Sequence, residues 1–218
     1  MKITLDNITL SYSLQGKGHP LILLHGNGEN HHIFDKLVSK LKNDFTVYAI
    51  DSRNHGESSQ TDDYSYATMA NDIFRFIEKL NLKDVSIVGF SDGAIISLLM
   101  AIENKNIFRK MVLLGVNLKP SDFTDENYAY LIEEYNNTHD PLVKLMLEQP
   151  DIELDQLKDI HIPTLVISAE DDLYKPEIFE EITDTLPNAQ SLIMKGHDHA
   201  SYVINQDILY HPLQEFLY

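Results

Sequence analysis

The chain has 218 residues, 43% hydrophobic and 23% charged, which suits one globular domain with a sizeable core. Its formal net charge of −17 argues against binding nucleic acid or an anionic membrane surface, because both require a basic patch. The absence of cysteine excludes disulfides and thiolate metal sites. No run approaches the roughly 18 apolar residues of a membrane span. The first six residues lack the apolar core of a signal peptide, so we expect a cytoplasmic protein.

Short apolar segments typical of β-strands recur along the chain. The first two, 2–6 and 9–14, alternate apolar and polar residues as a half-exposed hairpin does. Six further segments are mostly apolar, as buried parallel strands are. They span residues 20–24, 45–50, 85–90, 111–114, 163–167 and 191–194.

Longer segments with helical periodicity lie between most of these strands. They span residues 32–41, 68–80, 92–103, 177–186 and 209–217. Segment 92–103 is apolar nearly all round, which predicts a helix inside the fold. The alternation of strands and helices predicts the α/β class, with a mostly parallel sheet of eight strands and helices on both faces.

The region between Asn117 and His161 interrupts this alternation because it contains no convincing strand. Its pattern predicts two helices, 125–138 and 140–149. We interpret residues 118–160 as a short helical cap inserted into a single domain, 1–218. An ordinary crossover with two short helices is the alternative, but a plain crossover is usually shorter.

The sharpest chemical signal is Gly89-Phe90-Ser91-Asp92-Gly93, a G-x-S-x-G motif. An apolar strand leads directly into it and an apolar helix leads directly out. Such a tight strand-to-helix turn forces the serine into a strained backbone conformation and leaves room only for glycines on either side. The turn presents the Ser91 hydroxyl at a helix N-terminus, where developing negative charge is favoured.

Together with two further motifs, this one resembles the α/β-hydrolase superfamily over nearly the whole chain. His25-Gly26-Asn27-Gly28 follows a strand and is similar to that family's HGxG oxyanion loop. The segment Asp51–Ser58 follows the next strand and is similar to its D-x-R-G-H-G-x-S turn. It departs at Asn54, where glycine is usual, although asparagine tolerates the same positive φ.

The resemblance implies a Ser-His-Asp triad in the chain order serine, acid, histidine. The acid falls on Asp172, in a turn similar to the family's G-x-x-D, with Asp171 and then Glu170 as open alternatives. The base falls on His199, in a stretch that resembles the family's G-x-G-H, with His197 as the alternative. The backbone N–H groups of Asn27 and Asp92 would form the oxyanion hole.

These residues predict a serine hydrolase that cleaves a small, largely apolar ester. A lactonase, thioesterase, amidase or C–C bond hydrolase would use the same triad, and a binding protein of this fold is a further alternative. A nucleotide binder lacks support, since no G-x-G-x-x-G follows a strand. We expect no metal and no cofactor, and a small-molecule substrate as the partner. Nothing in the sequence fixes the oligomeric state.

Overall fold

A computed structural model describes all residues from Met1 to Tyr218. Eight strands form one sheet in the order β1-β2-β4-β3-β5-β6-β7-β8. They are β1 (Lys2–Leu5), β2 (Ile8–Gly16), β3 (His19–Leu24), β4 (Phe45–Ile50), β5 (Ser86–Phe90), β6 (Lys110–Leu114), β7 (Thr164–Asp171) and β8 (Ala189–Asp198). The first two strands pair antiparallel, and β2 pairs antiparallel with β4. The rest of the sheet is parallel, which confirms the predicted fold class.

Seven helices accompany the sheet. They are α1 (Asp35–Leu41), α2 (Tyr66–Lys79), α3 (Asp92–Glu103), α4 (Asp125–Thr138), α5 (Pro141–Glu148), α6 (Pro176–Thr185) and α7 (Tyr210–Leu217). Successive residues of β3 point to opposite faces. Leu21 and Leu23 belong to a hydrophobic cluster that includes side chains of α1 and α7, whereas Ile22 and Leu24 belong to a second cluster that includes side chains of α2, α3 and α6. The sheet is therefore covered on both sides.

Helices α4 and α5 occupy the long segment between β6 and β7. Local chemistry explains where they begin. The Thr124 hydroxyl accepts a hydrogen bond from the Asn127 amide, and the Asp140 carboxylate accepts one from the Leu142 amide, so both helices start at a side-chain cap. Pro141 follows Asp140 at the first helical position, where a missing N–H costs nothing.

Strand β8 is longer than the sequence pattern predicts. The apolar segment ends at Met194, but pairing with β7 continues, through an irregularity, to Asp198 opposite Asp171. Since β8 lies at the edge of the sheet, its polar end can face solvent while its backbone still pairs. The extension places His199 directly after the strand.

None of the helices combines the length and the apolar character that a membrane span requires.

Candidate active site

Ser91 lies in the turn between β5 and α3 with φ 52° and ψ −115°. This is a rare conformation for a residue with a side chain. A Cβ on Gly89 would lie 2.2 Å from the Gly93 carbonyl oxygen, and one on Gly93 would lie 2.3 Å from that of Leu24. The two glycines of the motif are therefore required by close packing of the backbone. The turn leaves the Ser91 side chain on the wall of a cavity.

Asp172 and His199 meet at the carboxyl ends of β7 and β8. The His199 Nδ1 lies 2.6 Å from the Asp172 Oδ1. The same carboxylate accepts hydrogen bonds from the backbone amides of Ala169 and Leu173. These contacts fix its orientation, so Asp172 holds the imidazole with Nδ1 protonated and leaves Nε2 free to accept a proton.

The His199 ring is held between aromatic side chains. Its centroid lies 5.0 Å from that of Phe90 and 5.4 Å from that of Tyr174. His199 is 8% exposed, and its Nε2 has no hydrogen-bond partner. Ser91 and His199 line the same cavity, although their side chains do not share a hydrogen bond. Hydrogen bonds between catalytic groups are often long in structures without a ligand.

The alternative acid and base have other contacts. Asp171 and Glu170 are exposed, and the Glu170 carboxylate accepts a hydrogen bond from the Gly196 amide. His197 Nδ1 lies 3.1 Å from the Ser201 hydroxyl. Of the candidate acids and bases, the structure brings together only Asp172 and His199.

The oxyanion loop is anchored by His25. Its Nδ1 lies 2.7 Å from the Gly26 carbonyl oxygen, and its Nε2 accepts a hydrogen bond from the Ser52 amide. Burial lowers the pKa of His25 to about 4. A neutral imidazole is the form that can donate at Nδ1 and accept at Nε2 together, so His25 joins this loop to the Asp51–Ser58 turn.

Asn27 and Asp92, the expected oxyanion residues, are joined by a side-chain hydrogen bond. The Asn27 side-chain amide donates to Asp92 Oδ2 at 2.9 Å and to the Leu142 carbonyl. The Tyr66 hydroxyl donates to Asp92 Oδ1 at 2.7 Å. Burial raises the pKa of Asp92 although these bonds oppose it. The Asp92 amide lies in the first turn of α3, where N–H groups lack acceptors within the helix.

The cavity measures about 380 Å³ and runs from Ser91 to the helices α4 and α5. Nine apolar or aromatic residues of the segment 118–160 are candidates to line an apolar pocket: Phe123, Tyr128, Tyr130, Leu131, Tyr135, Leu142, Leu145, Met146 and Leu147. Four of them line the cavity, namely Phe123, Tyr130, Leu131 and Met146. Leu145 packs in the core instead, and Tyr128 is exposed.

Sequence reasoning missed two residues beside Ser91 and His199. Gly115 directly follows β6 with φ +56°, and a Cβ there would lie 2.5 Å from the His199 Cε1. Glu29 follows the HGxG motif, and its carboxylate accepts a hydrogen bond from the Gly26 amide at 2.9 Å. Gly115 could have been found from the sequence as a glycine directly after the strand segment 111–114. Glu29 could have been found as an acidic residue directly after the HGxG motif.

No group of three or more histidine, aspartate or glutamate side chains is arranged so that it could hold a metal ion.

The sequence model of the alpha/beta hydrolase fold matches residues 19–138. The chain therefore belongs to the α/β-hydrolase family, as the fold and the arrangement around Ser91 indicate.

Among curated proteins, the chain is similar to two yeast proteins named ethanol acetyltransferase 1. The protein from Hanseniaspora uvarum is 35% identical over 99 residues, which are 44% of this chain and 29% of that protein. The protein from Kluyveromyces lactis is 28% identical over 174 residues, which are 78% of this chain and 40% of that protein. The matched part is thus less than half the length of either relative.

Among solved structures, the chain is similar to Est816, described as an N-acyl homoserine lactone degrading enzyme. The TM-score is 0.83 at 18% identity, with 99% of this chain and all of that chain covered. At such low identity the likeness establishes the shared fold.

Proposed function

We propose that this chain is a serine hydrolase of small, largely apolar esters, with Ser91 as nucleophile, His199 as base and Asp172 as the residue that orients the base. One observation carries the proposal. His199 is hydrogen-bonded to Asp172 at Nδ1, its Nε2 has no partner, and its side chain lines the cavity that Ser91 also lines. This is the arrangement that activates a serine hydroxyl.

In the first half-reaction, His199 Nε2 takes the Ser91 proton as the serine Oγ attacks the acyl carbonyl carbon. The backbone N–H groups of Asn27 and Asp92 stabilise the resulting oxyanion, and each is worth about 3 kcal/mol in the transition state. The tetrahedral intermediate then breaks its bond to the leaving alcohol, which receives the proton from His199. The acyl group remains on Ser91.

In the second half-reaction, a water molecule attacks the acyl-enzyme and gives its proton to His199 Nε2. The bond between the acyl carbon and Ser91 Oγ breaks, the serine recovers its proton, and the carboxylic acid leaves. Asp172 stays ionised and stabilises the imidazolium in both halves. The residues present supply all of this chemistry, and none of the steps requires a cofactor.

A second candidate function is acyl transfer to an alcohol. The relatives named ethanol acetyltransferase favour it, as do the apolar side chains that line the cavity beyond Ser91. An alcohol would replace water in the second half-reaction, so that an ester forms instead of an acid. The catalytic residues and their roles would be unchanged.

The test is turnover of p-nitrophenyl acetate and butyrate with and without added ethanol. We expect the wild type to hydrolyse both and Ser91→Ala to lose turnover by a factor on the order of 10⁶. The ratio of ethyl ester to free acid separates transfer from hydrolysis. A Ser91→Ala variant with near-normal turnover would contradict the proposal, and a folded wild type without turnover would favour a binding protein.

A further inference from the structure

Glu29 places a carboxyl group beside the nucleophile. Its Oε2 accepts a hydrogen bond from the Gly26 amide at 2.9 Å. That oxygen lies 3.0 Å from the point that a Cβ on Gly26 would occupy, and the Ser91 Cβ lies 3.1 Å from the same point. Glu29 also lines the cavity. Its charge therefore acts where the reacting group of a substrate must lie.

His199, the proposed base, lines the same cavity as Glu29. The two side chains are close enough for the charge of His199 to lower the pKa of Glu29. His199 is more than nine-tenths buried, and its Nε2 has no hydrogen-bond partner. A substrate whose acyl group reacts at Ser91 therefore binds in the cavity that the Glu29 carboxyl group also lines.

No positively charged side chain compensates for Glu29. The other acidic or basic residues that line the cavity are Glu134, Asp140 and His199, and neither lysine nor arginine is among them. Burial raises the pKa of Glu29 to about 7, which the Gly26 amide and His199 oppose and Asp92 reinforces. The carboxyl group thus lacks the counter-ion that a partly buried carboxylate requires.

We propose that Glu29 is a specificity-determining residue that selects substrates with a positively charged group, such as an ammonium, near the reacting acyl group. This inference rests on the proposed function because it names the substrate class of the same site. Attraction to a unit charge at 4–6 Å is substantial in a partly enclosed site. Aromatic walls at Phe90, Phe123 and Tyr130 can also contact a cation, whereas an anionic ester would be repelled.

The test compares two esters of the same shape, acetylcholine and the uncharged 3,3-dimethylbutyl acetate. Calorimetry on the Ser91→Ala variant at pH 8 measures binding without hydrolysis. We expect acetylcholine to bind about tenfold more tightly or better. At pH 5.5, where Glu29 is protonated, the preference should shrink.

The matched variants are Glu29→Gln and Glu133→Gln, each made in the Ser91→Ala background. Glutamine at 29 keeps the shape and the acceptor for the Gly26 amide but removes the charge, so the preference should fall at least about fivefold. Glu133 is exposed on α4 and does not line the cavity, so its substitution should leave the preference unchanged. Circular dichroism confirms that each variant is folded.

Several outcomes would overturn the inference: equal affinities for the two esters, no measurable binding of acetylcholine, or a preference that survives Glu29→Gln. None of them touches the proposed hydrolysis, which the turnover assay tests on the wild type. Conversely, a preference that depends on Glu29 in a protein without esterase activity would support the charge selection and contradict the hydrolase.

Discussion

At the residue scale, the carboxylate of Asp172 is held by two backbone amides and orients His199. Its neighbour Asp171 is exposed and lies in the last pair of the β7–β8 ladder. The two residues are adjacent in sequence and identical in chemistry. They therefore form an internal comparison for the role of orientation.

We expect Asp172→Asn to lower turnover of a p-nitrophenyl ester by about 10⁴, because asparagine favours the wrong tautomer of the base. Asp171→Asn should change turnover by less than about twofold, since a solvent-exposed carboxylate that does not contact His199 contributes little to stabilising its charge. Steady-state kinetics on both variants measures the difference. A larger loss in Asp171→Asn would move the acid to that residue.

Glu29 also has a consequence for stability. Its pKa is raised from 4.5 to about 7 by burial, so the folded state holds this proton more tightly than the unfolded state. Ionisation of Glu29 therefore lowers the free energy of unfolding. This loss is absent below pH 4.5, grows between pH 4.5 and 7, and is complete above pH 7. Glu29→Gln should therefore melt higher than the wild type at pH 8, by about 7 °C or more, and the difference should be much smaller at pH 5.

Thermal denaturation at several pH values measures this difference. His25, whose pKa is lowered, has the opposite pH dependence and lowers stability below about pH 6.5. It does so equally in the wild type and in Glu29→Gln, so its effect cancels in the comparison. Glu133→Gln is again the control, and its melting difference should not vary in this way. A Glu29→Gln variant that melts lower than the wild type at pH 8 would contradict the assignment.

Sequence motifs located Ser91, Asp172 and His199 because each follows a strand and lies in a contiguous pattern. Gly115 and Glu29 were missed because their importance arises from packing between segments far apart in sequence. Gly115 matters through contact with His199, and Glu29 through its position next to Ser91. Hydrophobic periodicity and local motifs do not predict contacts between distant segments.

At the element scale, the end of β6 supports the base. Gly115 has φ +56° and lies against the His199 ring, while its amide donates to the Ile167 carbonyl of β7. The end of β6 is thereby tied to the strand whose following turn carries Asp172. Gly196, in β8, has a similar φ of +74°, but a Cβ there would meet nothing within 4 Å.

We expect Gly115→Ala to lower kcat by about 10², because the new methyl group displaces the imidazole from its position near Ser91. Gly196→Ala incurs the same backbone strain of about 1–2 kcal/mol but leaves the ring free, so its kcat should match the wild type. Kinetics together with melting temperatures separates the two effects. Equal activity in both variants would mean that Gly115 does not position His199.

The strand boundaries show what periodicity can and cannot predict. The buried segments 45–50 and 111–114 agree with β4 and β6 to within one residue, because a central parallel strand must be apolar along its length. The predicted segment 191–194 covers only the middle of β8, which spans Ala189–Asp198. An edge strand pairs on one side, so its ends need no apolar side chains.

At the scale of the whole molecule, the order of the sheet brings the ends of β3, β5, β6, β7 and β8 to one edge. Ligands bind at this edge in open parallel sheets. The HGxG loop, Ser91, Gly115, Asp172 and His199 each follow one of these strands. Strand order cannot be deduced from hydrophobic periodicity, which shows where strands lie in the chain but not which strands are neighbours.

The central claim is that Ser91 is an activated nucleophile. The most direct measurement is reaction of the folded protein with a fluorophosphonate, followed by mass spectrometric mapping of the adduct. We predict a single adduct on Ser91, absent in Ser91→Ala and strongly slowed in His199→Ala, while His197→Ala reacts like the wild type. No adduct on the folded wild type, or an adduct on another residue, would contradict the account.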